Sequence, residues 1–199
     1  MRQSPRLTLR PMSSAHKKVI VRRFTGETLP GYLTLTGFVR NRTPQPAIDL
    51  LDLSGRIIFL LLNDIKHISY VRDFNLHDTA NPERLTRRAF LAKPRTEGLW
   101  LRMTFRSPDR TPDLLEGLAP IDITLTDDLI QDLGIHITPP DTRSNTQRIY
   151  IPRTSLTELQ LLAVITTPSR RKPLPASSVP SLQEDLFDNL IPPPNPRPT

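Results

Sequence analysis

The chain has 199 residues, a formal net charge of +7, 22 prolines and no cysteine, enough for one ordinary domain or two small ones. Without cysteine, disulfides and thiolate metal sites are excluded. The basic balance favours polyanionic partners, meaning nucleic acid or an anionic membrane surface, with a solvated arginine-rich surface as the alternative.

Residues 1–16 are basic, and Pro5 and Pro11 break every apolar run. They read as a disordered arm with no secretory leader, which makes the cytoplasm the expected compartment. Regular pattern starts at Lys17. VIVRRF (19–24) reads as a first strand, Thr25 and Gly26 as a turn, and 28–35 as a second strand with Gly31 inside it. A glycine within a strand marks a bulge or bend. After the basic loop RNRTPQP (40–46), residues 47–53 form a third strand and Ser54-Gly55 a turn. RIIFLLLNDIKHISYV (56–71) follows, the most apolar stretch of the chain. It is too short to span a membrane, which takes roughly 20 apolar residues. Asn63-Asp64 supplies turn chemistry at its centre, giving strands 56–62 and 65–71. Short strands at this spacing suggest a small antiparallel barrel of SH3-like or Sm-like type over 17–74.

Residues 75–97 change character. Asn81-Pro82-Glu83 is a helix entry, with Leu85, Ala89 and Ala92 on one face and Arg84, Arg87, Arg88 and Lys93 on the others, so a short basic helical connector is expected. From Gly98 the pattern restarts. LWLRMTF (99–105) resembles VIVRRF, Leu115 and Gly117 stand where Leu29 and Gly31 stood, and GIHITPP (134–140) resembles the third strand. RIYIPRTSLTELQLL (148–162) resembles the apolar stretch, with Leu156 and Leu159 at the places of Ile65 and Ile68. This is a diverged internal duplication of about 65 residues, and it predicts a second barrel over 98–165. TDDLIQDLG (126–134) reads as a turn or two of helix, with a hairpin as the alternative. The fold class is therefore all-β in the main: two tandem SH3-like or Sm-like antiparallel barrels, a helical connector and disordered termini.

Residues 166–199 read as a disordered proline-rich tail. Within it, 181–191 place Leu182, Leu186 and Leu190 on one helical face beside Phe187, the pattern of a motif that docks on a protein partner. The four histidines, His16, His67, His77 and His136, lack metal-ligand spacing. No phosphate-cradling glycine loop and no G-x-S-x-G elbow occurs. No metal, no cofactor and no enzymatic activity is expected. The basic inventory remains: Lys17, Lys18, Arg22, Arg23, Arg40 and Arg42 around the first unit, the connector arginines, and Arg102, Arg106, Arg143, Arg148 and Arg153 around the second. Phe38, Tyr70 and Phe74 are possible stacking surfaces, each more readily explained as core.

F-T-G-E-T-L-P-G-Y-L, with Gly26 and Gly31, and I-K-H-I-S-Y-V, with Lys66 and His67, resemble the Sm-like family, which includes the Hfq-type RNA chaperones. The resemblance implies contacts from Lys66, His67 and the loop around Phe38 to a uridine-rich strand or an RNA end. Arg40, Arg42, Arg84, Arg87 and Arg88 would add phosphate contacts. A homo-oligomer is left open. The VRDFN and SNTQRIY segments are also similar to a bacterial family of uncharacterised proteins with repeated small β domains. A rival resemblance is to PilZ domains, which bind cyclic di-GMP. Arg2 with Arg6, or Arg6 with Arg10, fits their arginine arm, and Asp52-Leu53-Ser54 starts their second motif, although Gly55 follows at once. A structural or adaptor role docking through 181–191 is the third reading.

Overall fold

A computed structural model describes residues 16–41, 44–107, 111–141 and 143–166. Arg42, the arm with Arg2, Arg6 and Arg10, and the motif with Leu182, Leu186, Phe187 and Leu190 lie outside the described residues.

The first half runs β1 (Lys17–Arg23), β2 (Thr28–Leu33), the two-residue β3 (Val39–Arg40), β4 (Ala47–Asp52), β5 (Ile57–Leu61), a 3-10 turn (Leu62–Asp64) and β6 (Ile65–Val71). The second runs β7 (Gly98–Phe105), β8 (Asp113–Ala119), α1 (Ile123–Gln131), β9 (Gly134–Ile137), β10 (Thr146–Pro152), a second 3-10 turn (Arg153–Ser155) and β11 (Leu156–Ile165). The class is all-β, with one α-helix among the described residues. The Asn63-Asp64 break is not a two-residue hairpin turn: it is one 3-10 turn, and it recurs at the matching place in the second half.

The ladders repeat with their register. In the first half Val19 faces Gly31 on one side and Tyr70 on the other. In the second, Leu101 faces Gly117 and Leu161. The break in the β1–β6 ladder between Arg22 and Arg23 recurs in β11–β7 between Leu156 and Glu158. β4 pairs with β5 as β9 pairs with β10, so Asp49 opposite Phe59 matches His136 opposite Tyr150. No ladder among the described residues closes either half into a barrel. The strands form an antiparallel sheet in the order β3-β4-β2-β1-β6-β10-β9, with β5 on β4, and a second sheet in the order β11-β7-β8.

The first sheet thus crosses from one half to the other where β6 meets β10. Alternation along β10 then decides which core each residue serves. Ile149 and Ile151 pack with Leu101, Met103, Phe105, Leu115, Ile135 and Ile137 of their own half. Tyr150, between them, packs with Val19, Val21, Phe38, Ile68 and Tyr70 of the other. Burying each such side chain contributes about 1.5–3 kcal/mol, so the seam is core and not a linker.

Two local expectations are revised. The connector holds no helix. Asn81 accepts the Arg84 N–H and, through its side chain, the Leu85 N–H, but Arg84 takes a positive φ of 51° and the turn ends there. Glu83, expected as part of a helix entry, is buried and takes a bidentate ion pair from Arg22 of β1, at 2.6 and 2.8 Å. The helix of the second half starts at Ile123, ahead of Thr126, because Asp122 caps it by accepting the Thr124 N–H.

Candidate functional site

Two of the residues singled out in the sequence are core. Phe38 is buried with its ring edge-on to Tyr150, centroids 4.9 Å apart, and His67 is buried against Phe105. Neither offers a face to a base. Burial, and then the charges of Arg22, Arg88 and Lys66, depress the His67 pKa to about 3, so its imidazole is neutral at pH 7. Tyr70 is buried too, with its hydroxyl donating to the Thr34 carbonyl at 2.8 Å.

Lys66 and Arg88 are brought together, but by a carboxylate: Asp113, at the start of β8, pairs with both. The Lys66 ammonium also lies 5.5 Å from the Phe105 ring centroid. Arg88 donates further to the Leu114 carbonyl, and its own carbonyl accepts the Glu116 N–H. These contacts bind the connector to the second half. Glu116 completes the clasp. Burial pushes its carboxyl up, yet hydrogen bonds from the Phe90 N–H, Arg102 and Trp100 outweigh that and hold it below the usual carboxylate range. Arg40 is exposed, 3.8 Å from Asp49, and Arg84 and Arg87 are exposed on the connector. In the PilZ-like segment, Asp52 accepts the Ser54 hydroxyl and the Ser54 and Arg56 N–H groups. Those bonds hold its carboxyl below the usual range and close the β4–β5 turn, where Gly55 takes a φ of 82°.

The feature that gathers cationic groups around open space lies at the seam. A cleft of about 510 Å³ is lined by His16, Lys17 and Lys18 at the start of β1, Arg72 just past β6, and Gln147 and Arg148 of β10. A second, of about 380 Å³, shares Arg72 and adds Arg84, Arg143, Asp73 and Asp141. Six Lys and Arg side chains therefore line the joined clefts against two carboxylates. Asn145 fixes their common wall: its carbonyl accepts the Arg72 N–H, and its side chain exchanges hydrogen bonds with Asp73 at 3.0 and 2.8 Å. Lys18 pairs with Asp73 at 2.9 Å, an exposed pair of low energy. Asp141 is tied down by the Thr86 hydroxyl, which lowers its pKa.

Of the seven described residues expected to touch nucleic acid, only Arg84 lines this surface. Lys17, Lys18, Arg143 and Arg148 stood in the basic inventory, and Arg72 was not in it. The signal that unites them is the β6–β10 pairing, which no local pattern contains. On a third cleft behind Arg148, His136 is fully buried with its Nδ1 2.9 Å from Asp128, and Arg148 lies 3.9 Å from the same carboxylate. Among the described residues no group of three or more His, Asp or Glu could hold a metal ion, and no helix is long and apolar enough to cross a membrane.

A family model described as a family of unknown function, DUF6982, matches residues 15–163. Comparison with curated proteins and with solved structures yields no match.

Proposed function

The chain belongs to the DUF6982 family, whose function is unknown, and we propose that it is a non-enzymatic polyanion-binding protein, with RNA as the first ligand to test, that holds phosphates along the basic clefts at its seam. The observation that carries this reading is the convergence of Lys17, Lys18, Arg72, Arg84, Arg143 and Arg148 from four separate chain segments onto two adjoining clefts. Like charges repel, so such a gathering costs stability unless a counter-charge is supplied. The reading keeps the ligand class of the Sm-like resemblance and moves the contacts away from Lys66 and His67. With Phe38 and Tyr70 buried, recognition falls on the backbone, as charge and shape, with little base reading.

The test is fluorescence anisotropy of a labelled oligoribonucleotide across a salt series. Each phosphate neutralised on a single strand adds about 0.7 to the slope of log K against log salt. Arg72→Ala with Arg143→Ala removes two contacts and lowers the slope by about 1.4. Absence of binding at low salt, or an unchanged slope in the double variant, refutes the proposal.

A further inference from the structure

The internal duplication leaves the chain with one made joint and the two halves of another. Within the chain, β10 pairs with β6, with Arg148 opposite Tyr70 and Tyr150 opposite Ile68. When the two 3-10 turns are superposed in sequence, β5 stands where β10 stands and β11 where β6 stands. Ile57 then corresponds to Arg148 and Phe59 to Tyr150, while Leu159 corresponds to Ile68 and Leu161 to Tyr70. Among the described residues β5 pairs with β4 alone and β11 with β7 alone, whereas β10 and β6 each pair on both edges.

Burial follows that difference. At the made joint Ile68 and Tyr150 are fully buried and Tyr70 is 3% exposed. At the matching places on the outer strands Leu159 is 50%, Leu161 58%, Phe59 48% and Ile57 71% exposed. Carrying the internal register over to the outer strands sets Ile57 opposite Leu161 and Phe59 opposite Leu159. The two apolar sets are thus in register with one another. Exposed edges in monomeric proteins are ordinarily blunted by Lys, Pro or bulges. β11 has a register irregularity on either side of its 159–161 stretch, the first of which β6 shares while still pairing on both edges. The facing positions of the two outer strands carry leucine, isoleucine and phenylalanine.

We propose that copies of this chain join head to tail, β11 of one copy adding to β5 of the next in the register in which β10 already adds to β6. The occupant is a second copy because the two complementary edges sit on the same chain and repeat a joint the chain already makes. The contact is heterologous, so it propagates to a ring where the rotation closes and to a filament where it does not. The inference does not depend on polyanion binding, and its test uses the full chain without nucleic acid.

Light scattering after size exclusion, over a concentration series, gives the mass. The wild-type chain is expected above monomer mass. Ile57→Asp and Leu161→Asp each spoil one edge in every copy and leave monomers. Mixed in equal amounts, they retain one good edge pair and give twofold the monomer mass, with no larger species. As a second readout, chains carrying Ile57→Cys and Leu161→Cys, mixed and oxidised, form a cross-linked heterodimer, since no native cysteine competes. A wild-type monomer at every soluble concentration, an undiminished mass in both Asp variants, or a mixture that stays monomeric overturns the proposal, as does failure of the cysteine pair to cross-link.

Discussion

Acid should loosen the fold through His67 before it reaches the carboxylates. The imidazole is buried on β6 among Arg22, Arg88 and Lys66, and burial followed by those charges lowers its pKa from 6.5 to about 3. A depressed folded-state value means that the unfolded chain binds the proton first. The stability contributed by neutral His67 is complete above pH 6.5 and is lost progressively as the pH falls towards 3. At pH 5, which is 1.5 units below the unfolded value, the loss is about 2 kcal/mol. For a domain of this size that lowers the midpoint of thermal unfolding by about 4–8 °C relative to pH 7.5. The assay is urea unfolding followed by the single tryptophan, Trp100, at steps from pH 7.5 to 5, for the wild type and His67→Leu. The variant should lose most of the slope in this window, whatever its absolute stability. Equal slopes in the two proteins would refute the assignment.

Arg22→Met should destabilise by about 3–5 kcal/mol in urea unfolding, because it leaves the buried Glu83 carboxylate without its bidentate partner. Adding Glu83→Met should recover most of that loss. Gly31→Ala should cost about 1–3 kcal/mol in the same assay, since a Cβ there would lie 2.6 Å from the Leu51 carbonyl oxygen, which is backbone and yields little. Asp132→Ala should cost several kcal/mol, at about 1–3 for each buried donor left unmet. Its carboxylate accepts the Gly37, Phe38 and Val39 N–H groups from the far half, and differential scanning calorimetry would register the fall.

Asp132 and Tyr150 show how the halves became interdependent. Asp132, at the end of α1, satisfies the backbone that enters β3, and the Tyr150 hydroxyl donates to the Asp132 carbonyl while its ring fills the first core. In the first half, the place of Tyr150 is taken by Phe59, which is half exposed. The duplication thus left two nearly equivalent strands with different neighbours, and the difference is carried by what lies beyond each strand edge.

What could be read from the residues alone was whatever chemistry acts over a few positions. Branched and apolar runs gave the strands of the first half to within two residues, apart from the two-residue β3, and those of the second to within three. Gly31 and Gly117 marked matching places, and the paired stretches around Asn63-Asp64 and Thr154-Ser155 identified the repeat. The place of Gly31 was correct but its reason was not. A bend was expected, and the structure shows β4 packed so closely that a side chain has no room. The connector misled because helix caps and facial periodicity are local, whereas the burial of Glu83 on Arg22 is a contact across the fold that outweighs them. The basic surface was scattered in the sequence for the same reason. Lys17, Arg72, Arg84, Arg143 and Arg148 become neighbours only once β10 has added to β6, and a strand pairing leaves no mark in local sequence beyond the alternation that both strands would show with any partner.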